Sequence, residues 1–296
     1  MGGMALIGRE HWSRKLFLIC NYLFLTGLSL SMLLPFLNVI AQSFSGAVAI
    51  DRGDVLFWPV DFTLNYYQYV FDDASIWRAF GITVYITAVG TLINLAATSS
   101  LAYPLSRTEY VGRKYVLLFV LLTMIFTAPL IPQFILMREL DLVNTLWALM
   151  LPTAISAFNL IVLRSFFMQI PTELIDSARI DGCGELRILW SLMLPLSKPA
   201  LATIGIFYSV TNWNKYMDAL YYLNDRKLYP LQVKLRELLI NDDLVDTGNL
   251  PFDVSSQSVQ GVQMAVILVA TVPIIMLYPF LQRYFIKGMM IGSIKS

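Results

Sequence analysis

The sequence predicts an all-α membrane protein that crosses the bilayer six times. Three observations carry that expectation. Only 14% of the 296 residues are charged, against about 25% in soluble domains. The mean hydropathy is +0.65. The apolar residues also gather into six runs, each long enough for the ~20 residues a helix needs to cross the hydrocarbon core.

In chain order the runs fall at about 16–41, 79–103, 115–136, 144–168, 192–213 and 262–282. The first exceeds a signal-peptide core of about 7–15 residues. It is therefore expected to stay in the chain, although Ala47, Val48 and Ala49 resemble a cleavage site. Prolines interrupt the third run (Pro129, Pro132), the fourth (Pro152) and the sixth (Pro273, Pro279). Each removes a backbone donor and can kink its helix, although proline is also simply more frequent in membrane helices. Arg164 is the main charge at span depth. It falls near the inner end of the fourth run, from where it can snorkel to the headgroups.

Basic residues orient the spans. With the N-terminus inside, the inner segments hold 13 of the 21 basic and 6 of the 20 acidic residues, and the outer segments hold 8 basic and 14 acidic. Both termini are therefore expected in the cytoplasm. This gives an N-terminal segment 1–15, a membrane domain 16–283 and a tail 284–296. The membrane domain carries two long outer loops, 42–78 and 214–261, and a cytoplasmic loop 169–195. Within the second outer loop, Asn241–Ser258 is acidic and polar and reads as irregular. The two cysteines, Cys20 and Cys183, fall in different regions, which speaks against a disulfide. The single histidine, His11, precedes the first span, so His-based metal sites and His-dependent triads are excluded.

The most polar interruption is Pro171–Pro199, with Glu173, Asp176, Arg179, Asp181, Glu185 and Arg187. Pro171 presets a helix start and Thr172 suits the N-cap. Glu173 and Asp176 then fall where the positive end of the helix dipole favours them. Gly182 tolerates positive φ and suits the C-cap. Leu186, Leu189, Trp190 and Met193 follow at helical spacing, as along one apolar face. An interfacial helix lying on lipid would explain that face but not the capped, charged helix before it. The arrangement reads as a docking element for a soluble partner.

This loop resembles the EAA motif of ABC importer permeases, which runs Glu-Ala-Ala, three residues, Gly, nine residues, then Ile, any residue, Leu-Pro. Here Asp176, Ser177 and Ala178 are followed at the same spacing by Gly182 and then by Leu192, Met193, Leu194 and Pro195. Asp replaces Glu, Ser replaces Ala and Leu replaces Ile; the shorter Asp176 alters the ionic contact that the family's acidic residue makes with the ATPase. Phe207, Trp213-Asn214, Asp218-Ala219-Leu220, Tyr229-Pro230-Leu231-Gln232, Tyr278-Pro279-Phe280 and Lys287-Gly288 are similar to the MalG-type sugar permeases, and to their LplC-like branch.

The resemblance implies a six-span type I importer core in a bacterial inner membrane. It also implies a second homologous permease subunit, two ATPase subunits that bind ATP and Mg, and an extracytoplasmic solute-binding protein. The cargo would be an oligosaccharide or polysaccharide, an acidic alginate-like one included. The ATPase-coupling residues would be Glu173, Asp176, Ser177, Ala178, Asp181, Gly182, Leu194 and Pro195. No G-x-x-x-x-G-K-[ST] occurs, so no cofactor is expected in this chain. No catalytic residue and no nucleic-acid partner is expected either.

For the substrate path, the end of the fifth run offers Tyr208, Thr211, Asn212, Trp213 and Tyr216. Tyr208, Asn212 and Tyr216 fall near one helical face, although an outer aromatic belt would also concentrate Trp and Tyr there. Lys215 is a nearby cation for an acidic cargo. An ion-coupled carrier or channel would call for intramembrane charges that are missing. A membrane-embedded glycan or lipid transferase would call for an interfacial carboxylate cluster, and the loop's carboxylates fit the permease motif better. A reporter active only outside the cytoplasm is expected to work when fused after residue 60 or 225 and to be silent after 110 or 184. Activity in the reverse pattern would invert the topology.

Overall fold

The computed structural model describes residues 12–240, 258–273 and 275–276. Its helices are α1 (Trp12–Ser43), α2 (Ala47–Asp51), α3 (Asn65–Asp72), α4 (Ala74–Ser106), α5 (Arg113–Ile125), α6 (Leu130–Glu139), α7 (Trp147–Met150), α8 (Ala157–Phe167), α9 (Thr172–Ile180), α10 (Glu185–Leu196), α11 (Lys198–Trp213), α12 (Met217–Tyr222), α13 (Leu231–Ile240) and α14 (Val259–Pro273). Among the described residues there is no strand. His11, the end of the sixth run with Pro279, the acidic stretch 241–257 and the tail 284–296 lie outside the described residues.

The spans are less uniform than the hydropathy suggests. α1 and α4 are each long and apolar enough to cross a membrane, and the pairs α5–α6 and α10–α11 are so only when each is taken as one bent span. The third run, which Pro129 and Pro132 interrupt, breaks at 126–129, with Pro129 at the cap of α6 and a bend of 118°. The fifth bends by 87° between α10 and α11, where Pro199 lies in the first turn of α11. The fourth run is not one helix either. α7 and α8 are separated by residues 151–156, and Pro152 at that break cannot donate to the helical ladder. The outer loops contain α2, α3, α12 and α13 rather than irregular chain alone.

The chain divides into two compact units, Met1–Val70 with Val245–Leu268 and Phe71–Leu244 with Val269–Ser296. In the first, α1 has no buried face over its apolar window, the pattern of a helix whose solvent is lipid. Its outer end is tied down by Asn38, whose Nδ2 donates to the carbonyls of Val55 (3.2 Å) and Leu56 (2.7 Å). The ring of Tyr66 is buried so closely against Gly261 that a Cβ there would lie 2.4 Å from it. Ser258 Oγ donates to Asp51 Oδ1 at 2.8 Å.

The second unit is organised by α4. Asp73 caps it, accepting from the Ser75 N–H at 2.7 Å. Its buried positions Ile76, Ala79, Thr83, Ile86, Gly90, Asn94, Thr98, Ala102 and Leu105 recur every three or four residues, so a single stripe runs the length of the helix. The middle of the stripe is small or polar, which lets α11 and α8 approach closely. At Gly90 the approach is tight enough that a Cβ would lie 2.9 Å from Asn212 Nδ2. One apolar cluster surrounds the C-terminal half of α4 (Leu160, Leu163, Phe167, Ile175, Ile188, Met193) and another the N-terminal half (Ile86, Met137, Leu149, Met150, Tyr222).

The break at 151–156 frees backbone groups, and side chains of α4 and α11 take them up. Asn94 Nδ2 donates to the carbonyls of Thr153 (2.7 Å) and Ala154 (3.1 Å). Tyr208 Oη accepts from the Ser156 N–H at 2.9 Å. Asn94→Ala orphans both carbonyls, at a cost of about 1–3 kcal/mol for each group left buried and unpaired. Thermal unfolding of the detergent-solubilised protein is expected to register this loss, and an unchanged midpoint would mean the break does not depend on Asn94.

Candidate functional site

The polar loop folds as a helix, a glycine stop and a second helix. Thr172 is not the cap. Pro171 occupies the cap position with φ −53° and ψ 133°, and Thr172 is the first helical residue. Proline's ring presets φ there, and no side chain of the cap residue accepts from the first-turn N–H groups. The other end matches the glycine expected. Gly182 has φ +80°. The Gly182 N–H donates to Arg179 O at 3.0 Å, and the Cys183 N–H to Ala178 O at 2.9 Å. These two bonds form a Schellman motif.

α9 is anchored by one side chain, Ile175, buried among Phe167, Ile188, Leu189 and Met193. Glu173, Asp176, Ser177, Asp181, Gly182 and Pro195 are exposed, while Ala178 and Leu194 are half-buried against the same cluster. The hydroxyl of Ser177 donates to the Glu173 carbonyl. The four apolar residues after the glycine do not share a face. Leu189 and Met193 point inward with Ile188, whereas Leu186 and Trp190 are exposed. The helix widens to a π turn over Leu189–Met193, which shifts the helical phase.

The loop is tied to α4 by residues that sequence reasoning did not select as site residues. Arg179 reaches three carboxylates: Glu185 (Nε to Oε1, 2.9 Å), Asp176 (3.6 Å) and Glu109 (3.7 Å). The other oxygen of Glu185 accepts from Tyr103 Oη at 2.5 Å. Glu185 thus bridges α9 to the C-terminal end of α4. The Tyr103 hydroxyl, followed by the Arg179 guanidinium, holds the Glu185 carboxyl below its usual range against partial burial. Beside this bridge a cavity of about 420 Å³ opens between Tyr103, Arg107, Arg179, Glu185 and Leu189, with the Arg107 guanidinium 5.3 Å over the Tyr103 ring. No sequence signal joins Tyr103 to Glu185, 82 residues apart.

The residues expected along a substrate path separate. Tyr208 and Asn212 share a buried face of α11. Tyr208 Oη pairs with Thr98 Oγ1 at 2.6 Å, and Asn212 Nδ2 donates to Asn94 Oδ1 at 2.9 Å. Thr211 is exposed and bonds back to Phe207 O. Trp213 is buried edge-on to Phe80 at 6.0 Å. α11 ends at Trp213, so Tyr216 lies outside the expected face, with the Arg236 guanidinium 5.9 Å from its ring centroid. Lys215 is not an open cation. Its ammonium is buried, donating to Thr153 Oγ1 (2.8 Å) and Asp218 Oδ2 (3.1 Å). Burial pushes it down in pKa, and Asp218 partly opposes that. Arg164 Nε donates to Leu105 O at 2.8 Å.

Comparison with known proteins places this geometry. The family described as binding-protein-dependent transport system inner membrane component matches residues 2–291. Protein LplC of Bacillus subtilis (strain 168) is 43% identical over 282 residues, covering 95% of this chain and 96% of the relative. The polygalacturonan/rhamnogalacturonan transport system permease protein YtcP of the same organism is 42% identical over 287 residues, covering 95% and 99%. Among solved structures, a chain of a bacterial ABC transporter involved in the import of the acidic polysaccharide alginate superposes with a TM-score of 0.87 at 32% identity, covering 94% of this chain and 99% of that one.

A carboxylate with a lowered folded pKa contributes stability above its unfolded pKa of about 4.3, and loses it as pH falls through the folded value. The Glu185 bridge therefore persists at neutral pH and opens only in acid. Tyr103→Phe removes the largest cause of the lowering. The acid limb of a melting-temperature profile is expected to move to higher pH, and an unmoved limb would dismiss the bridge.

Proposed function

The chain belongs to the family of binding-protein-dependent transport system inner membrane components, and from that premise we propose how it works. It is the non-catalytic permease subunit of an ABC importer for oligo- or polysaccharide, an all-helical, multi-pass protein of the inner membrane. ATPase and binding-protein partners follow from the family.

The finer reading is ours. Six spans leave both termini in the cytoplasm, and residues 1–15 and 284–296 flank a membrane domain 16–283. A second homologous permease completes the pathway, and two ATPase subunits bind ATP and Mg. The loop 169–195 is the coupling element. Glu173, Asp176 and Asp181 face the ATPase, and Ser177, Ala178, Gly182, Leu194 and Pro195 shape the surface that presents them. The observation that carries this reading is the Glu185 bridge, because a docking helix is useful only if its motion reaches a span. ATPase closure displaces α9, Ile175 and Glu185 transmit the displacement to α4, and the packed helices exchange between two arrangements. Thr211, on the open face of α11, and Tyr216, past its end, are placed to meet cargo. Tyr208, Asn212 and Trp213 hold the wall behind them.

The cargo is an acidic oligosaccharide. The relative described as a polygalacturonan/rhamnogalacturonan permease and the solved alginate importer support this, since galacturonan and alginate are both polyuronates. The test is uptake and ATP hydrolysis by the complete transporter in vesicles, wild type against Gly182→Asp. A side chain at a left-handed position costs about 1–2 kcal/mol, and here it reshapes the docking surface without touching the core. We expect an assembled complex with stimulated hydrolysis and uptake both reduced about tenfold or more, as 1.4 kcal/mol of lost coupling corresponds to tenfold. Wild-type coupling in the variant would remove the loop from the mechanism.

A further inference from the structure

We propose that the cationic pocket at the outer end of α4 is a subsite for the carboxylates of the acidic cargo. The proposal rests on the acidic-cargo reading above and adds the site that would read that acidity. The pocket has a volume of about 260 Å³ and is lined by Arg78, Arg226, Lys227 and Lys234, with Glu237 the one carboxylate among the described residues. Ligand pockets commonly run about 300–1,000 Å³, so this is the size of a subsite and not of a whole oligosaccharide cavity. Its sign is contrary to its surroundings, because the outer segments as a whole carry 14 acidic and 8 basic residues.

Among the described residues the cations are not used up. Arg226 Nε and Glu237 Oε1 are 3.9 Å apart, a long and exposed contact on the arginine side. Among the described residues Arg78, Lys227 and Lys234 form no ion pair. Four positive groups around one small cavity repel one another, and a polyanion relieves that repulsion where a neutral sugar cannot. The two guanidinium forks suit bidentate carboxylate binding and the two ammonium groups act as point charges. Tyr229 adds a half-buried ring to the wall.

Three anchors also hold the pocket's elements in place without cargo. Asp73 caps the start of α4, five residues before Arg78. Asp225 Oδ1 accepts from the Lys227 N–H at 2.8 Å and fixes the 3₁₀ turn Arg226–Leu228, while Asn144 Oδ1 accepts from the Asn224 and Asp225 N–H groups. The Leu231 N–H donates to Thr83 Oγ1 at 2.8 Å, pinning the first residue of α13 to α4. A preformed cluster loses less ordering entropy on binding than a mobile one. The pocket also stands on the helix whose far end carries the Tyr103–Glu185 bridge, so cargo held here touches the element that coupling moves.

The test uses the complete transporter in vesicles, with binding protein loaded with trigalacturonate as the variable substrate. The variant is Arg78→Gln with Lys234→Gln, which leaves the Arg226–Glu237 contact intact. The charge-conserving control is Arg78→Lys with Lys234→Arg. We expect galacturonate uptake at saturating binding protein to fall about tenfold in the neutralised variant and to recover in the control, within the range that focused charge gives to association. Added salt should slow the wild type and spare the neutralised variant. Equal uptake by wild type and neutralised variant would overturn the subsite while leaving the cargo reading standing. Wild type that imports a neutral arabino-oligosaccharide and no galacturonate would overturn the cargo reading itself. A loss that appears only as a higher half-saturating concentration of binding protein would make the pocket a docking surface for that protein, and would overturn the proposal.

Discussion

Backbone amides at membrane depth have no water to turn to, and this constraint organises the second unit of the chain. The fourth apolar run breaks at 151–156, around Pro152, where an unbroken helix would have satisfied its own backbone. The break persists because α4 supplies Asn94 to the carbonyls of Thr153 and Ala154, and α11 supplies Tyr208 to the Ser156 N–H. Those two side chains are themselves held, Tyr208 by Thr98 and Asn94 by Asn212. Three segments are therefore cross-linked at one level by polar groups, and the close contact at Gly90 is what allows Asn212 to reach in. The apolar clusters above and below this level add affinity but not register.

Charge is handled differently at the two ends. At the C-terminal end of α4 Glu185 is exposed and Arg179 half-buried, and they share their contacts among several partners. Partly exposed pairs of this kind contribute little to stability. Near the outer end Lys215 is buried, with Asp218 its carboxylate partner and Thr153 its hydroxyl partner. Removing one member of such a pair leaves an uncompensated charge. That makes the second arrangement a fixed tie from the end of α11 to the break, whereas the first can re-form in a different geometry.

Much of the polar loop 169–195 was legible because its determinants are local. A glycine that needs positive φ, acids in a first turn and a proline at a helix start all act within a few residues, and Gly182 adopts the conformation expected of it. The all-helical, membrane-embedded character was legible from composition for the same reason. The interruptions within the runs were not, because Pro152 signals a possible break without saying whether other helices can satisfy the freed groups. The Tyr103–Glu185 bridge and the outer pocket were hidden altogether, since each joins residues from distant parts of the sequence whose individual types are ordinary. Tyr208 and Asn212 were rightly placed on one face, but polarity on a helix face cannot tell a cargo contact from a tie between helices. Lys215 is an instance of the same ambiguity, a cation whose carboxylate partner sits three residues on.

α4 has 33 residues and so measures about 50 Å, against a hydrocarbon core of about 30 Å. Its middle is clamped between α8 and α11. A straight rod held at its centre is a lever with equal arms of about 25 Å, on which a tilt of only about 10° displaces each tip by ~4 Å, in opposite directions. A carboxylate contact spans less than that. One modest rotation at the clamp would therefore shift the Tyr103–Glu185 contact and the pocket beside Arg78 in the same stroke, with no signal having to travel between them.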